Sequence, residues 1–369
     1  MDRCFGGRYK IKRKIGAGSF GEIFEGEDIK TGKRVAVKVE KLKTQIPQLN
    51  AESRVYSLLS GCTNAATLYY FGIEIQTCAL VIDYLGYSLE SLRTSCKGKL
   101  SIKTVLMLAP QMISAIEFLH KKNMIHGDIK PENFMLGLGN NENKVFMIDF
   151  GLSRNYRDPK THQHIPFSEH KPFSGTARYS SIWALRGNEQ SRRDDMEGLA
   201  YVWLWLLNGT VPWMNIDAPT LNAKYEKMCS IKVRSTPEQL FKNHPPEFAN
   251  YLKEVRKLRF QDEPPYAKFR KMFYDLYIKM GYSFDHKYDW EGNLKENLSV
   301  SFVGAASPHA NQNIAIMNTE MPPKSPVQDR KRRTPVPANK KMIPVNKYAS
   351  AFSLLKTPRL VINKESSVK

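Results

Sequence analysis

Over the first 85 or so residues the apolar positions come in short runs, rich in β-branched and aromatic side chains and bounded by glycine or polar turns. That pattern predicts strands over residues 9–15, 22–27, 34–40, 67–74 and 78–84. One helix is predicted among them, over 47–60, with Pro47 near its first turn. From 88 to 280 the spacing turns mostly helical, and long helices are predicted over 101–121, 192–208, 246–258 and 266–280. Pro110 falls inside the first of these; it removes a backbone donor and predicts a kink or a split. The expected class is α+β and bilobal. A small antiparallel, strand-rich lobe with one helix covers about 9–85, a larger helical lobe covers about 86–296, and a cleft lies between them. No internal repeat is visible.

The periodic pattern stops near residue 298. Residues 299–369 carry twelve Lys and Arg against three Asp and Glu, and eight of the 21 prolines. A disordered basic tail is expected over 297–369, and a short N-terminal extension over 1–8. Residues 330–333, Arg-Lys-Arg-Arg, are its densest cluster; a solvated charge run, a nuclear address and an anion-binding patch all fit it. With 369 residues and 41% hydrophobic content the chain can bury a large core. Its net charge of +20 favours phosphate-bearing or acidic partners. Nucleic acid could meet the tail, but it is not the favoured partner. The cysteines, at 4, 62, 78, 96 and 229, are odd in number and form no C-x-x-C, which argues against a disulfide framework or a zinc finger. Residues 1–10 lack the apolar segment of a secretory signal. The longest apolar run, 200–207, is too short to span a bilayer, and no prenylation signal is present, so no membrane anchor is expected.

Candidate chemistry begins at Gly16-Ala17-Gly18-Ser19-Phe20-Gly21, which fits G-x-G-x-x-G. In a dinucleotide-binding fold such a loop follows a strand and opens a helix. Here Glu22-Ile23-Phe24-Glu25-Gly26 reads as a second strand, and Gly26 with Thr31-Gly32 makes a helix poor. The loop is expected to join two strands of a hairpin, which lays backbone N–H groups over phosphates. An ordinary Gly-rich turn would leave the same signature. In Val35-Ala36-Val37-Lys38, Ala36 and Lys38 share one face, while Val35, Val37 and Val39 point the other way, into a core. A small alanine beside a lysine suits a flat ring followed by phosphates; a lysine in solvent is the competing reading. Glu52 bears on that choice, because Val55, Tyr56 and Leu59 follow it at helical spacing. A carboxylate on or beside an apolar stripe needs a cation, and Lys38 is the candidate. A solvated glutamate at the stripe's edge would look the same.

The helix over 101–121 leads to Ile125-His126-Gly127-Asp128-Ile129-Lys130-Pro131-Glu132-Asn133, and sixteen residues after Asn133 comes Asp149-Phe150-Gly151. Two short apolar segments, 134–136 and 145–148, flank the turn-rich 137–144. They predict a hairpin that brings Asn133 and Asp149 within reach of one another. Amide and carboxylate oxygens are the ligands Mg²⁺ prefers. Asp128 could accept a hydroxyl proton, and Lys130 could neutralise a transferring phosphoryl group. Turn chemistry explains each residue alone, but not the ordered set.

With these motifs in this order, the chain resembles the eukaryotic protein kinases over about residues 9–296. The resemblance implies that Ile15, Gly16, Gly18, Ser19, Gly21, Ile23 and Ala36 enclose ATP, and that Lys38 holds its α- and β-phosphates and pairs with Glu52. It implies a hinge from Asp83 to Leu85 that hydrogen-bonds adenine, with Ile82 behind it as gatekeeper. Asp128 would be the catalytic base, Lys130 a γ-phosphate contact, and Asn133 and Asp149 the Mg²⁺ ligands.

Within the kinases the chain is similar to the casein kinase 1 family. Three stretches carry this likeness. Gly175-Thr176-Ala177-Arg178-Tyr179 is followed by Ser180-Ser181-Ile182, with no Ala-Pro-Glu. The others are Glu189-Gln190-Ser191-Arg192-Arg193-Asp194-Asp195 and Leu85-Gly86-Tyr87-Ser88-Leu89-Glu90. The likeness implies transfer to Ser or Thr of proteins, after a phosphorylated or acidic residue. Its physical counterpart would be an anion pocket from Arg178 and Lys224, with Lys171; ordinary surface charge also accounts for Lys171 and Lys224. The usual His-Arg-Asp is here His126-Gly127-Asp128, as in the vaccinia-related kinases. The missing arginine usually receives an activation-loop phosphate, so activity is expected not to need one. Two rivals stand beside this reading: a vaccinia-related-kinase-like nuclear kinase whose role is set by the basic tail, and a pseudokinase that binds ATP or a partner without chemistry; intact Lys38, Asp128, Asn133 and Asp149 stand against the second. Acidic or phosphorylated proteins are the expected partners, a monomer the expected state, and cytoplasm, nucleus or both the expected location.

Overall fold

A computed structural model of the chain describes residues 3–18, 21–42, 48–74 and 76–291. The expected tail, Ser19 of the glycine motif and Pro47 of the expected helix lie outside them. The β-branched runs at the N-terminal end pair as one antiparallel sheet. Its strands are β1 (Cys4–Phe5), β2 (Tyr9–Gly18), β3 (Gly21–Asp28), β4 (Arg34–Lys41), β5 (Leu68–Glu74) and β6 (Thr77–Asp83), in the order β1-β2-β3-β4-β6-β5. The expected extension at 1–8 is thus partly a strand: Cys4 and Phe5 pair with Lys10 and Tyr9, and Phe5 is fully buried. Alternation along β4 behaves as its period predicts. Val35, Val37 and Val39 pack with Phe5, Tyr9, Ala79 and Val81, while Ala36 and Lys38 face the cleft. The lobe's helix, α1 (Gln48–Leu58), buries Leu49, Val55 and Tyr56, and Glu52 with them.

The second lobe opens with α2 (Leu89–Ser95) and α3 (Ile102–Lys121). Then come β7 (Met124–Ile125), β8 (Phe134–Leu136), β9 (Val145–Met147) and β10 (Arg154–Asn155), of which β7 pairs with β10 and β8 with β9. The remaining helices are α4 (Ile182–Leu185), α5 (Arg192–Asn208), α6 (Leu221–Arg234), α7 (Pro237–Leu240), α8 (Pro246–Arg256) and α9 (Tyr266–Lys279). Ser88, Ser101, Ser181, Thr220 and Thr236 cap helices by accepting an amide three residues on. α5 is the axis of the lobe, buried all round and packed against α3 and α8. It stops where Gly209 takes φ +69°; a Cβ there would stand 2.5 Å from Gly98 O.

α3 is continuous through Pro110, so the expected split does not occur. An interior proline costs about 3 kcal/mol. Burial of Val105, Leu108, Ala109, Met112, Ile113 and Ile116 in the core outweighs it. Among the described residues α3 alone is long and apolar enough to cross a membrane, and it is mostly buried in this core. The lobe continues past α9, where Tyr288 and Trp290 stack at 4.6 Å within the same core.

Candidate active site

β2 and β3 meet with Gly18 opposite Gly21 and Gly16 opposite Ile23. The glycine loop therefore joins two strands and opens no helix. Gly21 also has a packing reason: a Cβ there would stand 2.2 Å from Val39 O, which would force β3 and β4 apart. The cleft below is lined by Ile15, Ile23, Ala36, Lys38, Glu52, Ile82, Asp83, Leu85, Asn133 and Asp149, and in addition by Tyr56, Ser88, Ser91, Glu132, Met135 and Ile148.

Lys38 Nζ lies 2.7 Å from Glu52 Oε2 and 3.1 Å from Asp149 Oδ1. The solvent readings of Lys38 and Glu52 are thereby ruled out. Burial opposes the Lys38 charge, but Asp149 and Glu52 outweigh it and raise its pKa. Burial pushes the Glu52 carboxyl up against the pull of Lys38. Asp149 moves the other way, to about 2, because Lys38 and Lys130 overcome its burial.

The hinge is more selective than expected. The Asp83 carboxylate accepts from Tyr69 OH at 2.5 Å, Thr67 N at 2.8 Å and Lys33 Nζ at 2.9 Å, and the Asp83 amide donates to Thr67 O. Among the described residues the Leu85 amide makes no hydrogen bond, which leaves it able to donate to a ligand.

The β8–β9 hairpin performs the predicted convergence. Phe134 pairs with Met147, and Ile148 N donates to Asn133 O at 3.0 Å, which sets Asn133 beside the residue preceding Asp149. Asn133 Nδ2 donates to Asp128 O at 2.9 Å, leaving its Oδ1 for a cation. Asp149 has φ +64°, a left-handed conformation uncommon outside glycine. Phe150 is buried, with its ring 4.8 Å from Tyr56 and 5.5 Å from His126, so α1 and the loop after β7 share one contact.

Asp128 Oδ2 accepts from Lys130 Nζ at 2.7 Å, and Oδ1 accepts from Thr176 Oγ1 at 2.7 Å. Burial opposes the Lys130 charge; Asp128 and Asp149 raise its pKa nonetheless. Asp195 on α5 supports the loop from beneath. It accepts from His126 N at 2.7 Å and Gly127 N at 3.0 Å, and bonds His120 Nε2 at 2.9 Å. Thr176, His120 and Asp195 are site residues that motif spacing alone misses. Asp195 stands among Arg192, Arg193, Asp194 and Glu197 at the charged start of α5, so nothing local singles it out.

Gly127 has φ +78°, and a Cβ there would stand 2.9 Å from Leu152 O and 3.0 Å from Arg154 Nη1. Arg154 thus fills the space beside it. Arg154 Nε lies 3.6 Å from Glu189, whose carboxylate also pairs with Lys171 at 3.0 Å. Lys171 is therefore tied to Glu189. Arg178 lays its guanidinium 4.6 Å from the Trp205 ring, and Lys224 lies in the first turn of α6. Among the described residues neither pairs with a carboxylate.

Among the described residues no group of three or more His, Cys, Asp or Glu gathers for a metal. The cleft's donor set is one amide oxygen, from Asn133, and one ionised carboxylate, from Asp149. That set fits Mg²⁺ completed by phosphate oxygens and water. Protein kinase domains generally use ATP and Mg²⁺. The family model for the protein kinase domain matches residues 9–264, more than half of the chain, and the chain belongs to that family.

Proposed function

We propose that this protein transfers the γ-phosphoryl group of ATP to Ser or Thr of proteins, as a kinase of casein kinase 1 type. The observation that carries the reading is Lys38 bonded to Glu52 and Asp149 at once. That contact needs β4, α1 and the segment after β9 in register, which is the arrangement a nucleotide cleft requires. Ile15, Ile23 and Ala36 enclose the adenine, Ile82 backs it and the Leu85 amide bonds it, while Lys38 holds the phosphates. Asn133 and Asp149 hold Mg²⁺, which when bound neutralises phosphate charge. Asp128 orients the acceptor hydroxyl and takes its proton, and Lys130 lies beside it for the transferring group.

For the protein substrate, Arg178 and Lys224 are the cations available to an acidic or phosphorylated residue. Lys171 contributes less, because Glu189 already neutralises it. The test uses purified protein, MgATP and two peptides that differ only in a phosphoserine three residues before the acceptor, with Asp149→Asn as control. The reading expects much faster transfer to the primed peptide and none by the control. Equal rates would remove the Arg178/Lys224 pocket and leave the kinase. ATP binding with no transfer to either peptide would favour a pseudokinase.

A further inference from the structure

Thr176 bonds Asp128, and two residues on comes Arg178; between 177 and 179 the backbone is an irregular turn whose carbonyls join no ladder. Three carbonyls of this segment converge on one side chain. Lys232 Nζ, near the end of α6, donates to Ala177 O at 3.0 Å, Arg178 O at 3.1 Å and Ser180 O at 2.6 Å. The residue is fully buried. Its ammonium lies 4.4 Å from the centre of the Tyr201 ring and 4.8 Å from that of Trp213, and Trp213 Nε1 also donates to Arg178 O. Among the described residues no carboxylate pairs with it directly.

Burial drives the Lys232 pKa down to about 7, with Glu197 opposing. The three carbonyls and two ring faces favour the charged form. Lysine is the one side chain with three N–H donors on a single atom and no acceptor, so it can close this cage. An apolar side chain of similar length would fill the volume with no ion to desolvate. What the ammonium adds is a fixed position for three carbonyls.

We propose that Lys232 is a positioning residue for protein phosphorylation. It fixes the backbone of 176–180 so that Thr176 reaches Asp128 and Arg178 faces the incoming substrate. The proposal rests on the kinase reading above. It makes the order of this segment a property of α6, without a phosphate on the segment itself. The same helix carries Lys224, so one element bears a substrate cation and the brace.

The test compares full-length wild type with Lys232→Met and Lys232→Arg, by hydrogen exchange and by steady-state kinetics. In the Met variant, amides of 176–181 should exchange on the order of 100-fold faster, while protection of α5 is kept. Its kcat/KM for the primed peptide should fall on the order of 10- to 100-fold, with the KM for MgATP changed less than about threefold. Arginine keeps the charge but splays its donors in a plane, so it should recover only part of both losses. If the Met variant does not fold, the Arg variant decides: intermediate exchange and activity support the brace, and wild-type behaviour overturns it. Unchanged exchange at 176–181 with kcat/KM within about twofold of wild type would also overturn it. So would a loss of protection spread equally through α5, which would mean general destabilisation. A wild type inactive on every peptide would sink the kinase reading, while the exchange comparison would still decide whether Lys232 holds the segment.

Discussion

Lys38 and Lys232 are both buried lysines, and their surroundings differ in kind. Lys38 stands between two carboxylates, Glu52 and Asp149, at the edge of an open cleft. Lys232 stands among three backbone carbonyls and two aromatic rings, sealed from solvent. Net charges in a cleft respond to whatever ionic ligand enters, because the carboxylates can be shared with a cation and the ammonium with a phosphate. Carbonyl dipoles carry no net charge and stay as they are when the cleft fills. The first arrangement suits binding and chemistry, and the second suits holding a shape.

The sharpest way to break this comparison is to neutralise each lysine. Lys38→Met should lower phosphoryl transfer on the order of 1,000-fold with the peptide KM little changed, read by steady-state kinetics in both substrates. Lys232→Met should cost less and act on the peptide side. If both variants lost activity through the same parameter, the distinction would fail.

Stability separates the pair next. Lys38→Met leaves Glu52, 2% exposed, without its cation, and should lose about 3 kcal/mol by chemical denaturation at pH 7. Without Lys38 the folded-state pKa of Glu52 rises further, since burial already pushes it up. A group raised in the folded state contributes stability below its unfolded pKa and loses it as pH rises. The deficit of the variant should therefore shrink from pH 7 toward pH 5. A deficit that grew on acidification would contradict this electrostatic account of Lys38.

Gly127 extends the comparison to a place where no cation grows from the catalytic loop and Arg154 reaches in from β10 instead. Gly127→Ala should destabilise by about 1–2 kcal/mol, from the left-handed backbone and the approach to Leu152 O and Arg154. Removing the guanidinium in Gly127→Ala/Arg154→Ser should recover part of that. No recovery would mean that Arg154 does not occupy the space.

Glu132 gives an effect of similar size and opposite sign. It is a half-buried carboxyl with neither a counter-ion pair nor a cage, and its shielded Oε2 has no partner among the described residues. Burial raises its pKa to about 6. Its contribution is thus fully present below the unfolded value and lost as pH rises through 6. Glu132→Gln should be more stable than wild type by about 1–2 kcal/mol at pH 7.5, with the gap closing toward pH 4.5 in thermal melts. A gap independent of pH would remove the titration argument.

What the chain's pattern makes legible follows the same division. The strands and the cleft residues declare themselves locally, through period-2 alternation around Ala36 and Lys38 and through motifs of fixed spacing at 16–21, 126–133 and 149–151. The brace does not. α6 buries only Met228, Cys229 and Lys232, a stripe too narrow to stand out, and a lysine in it reads as surface. Thr176 and His120 acquire roles only through partners 48 and 75 positions away, at Asp128 and Asp195. A two-residue strand such as β1 is too short for alternation to show. Pro110 reads as a breaker because the packing that tolerates it is tertiary.

The kinase reading stands or falls on Asp128, held by Lys130 and Thr176, as the group that serves phosphoryl transfer to a protein hydroxyl. The most direct measurement is single-turnover transfer from MgATP to the primed serine peptide by wild type and by Asp128→Asn, each first treated with phosphatase. Rapid transfer by the dephosphorylated wild type is expected, with a loss on the order of 1,000-fold in Asp128→Asn and ATP affinity unchanged. Equal rates in the two proteins, or no transfer by a wild type that binds ATP, would contradict the kinase reading.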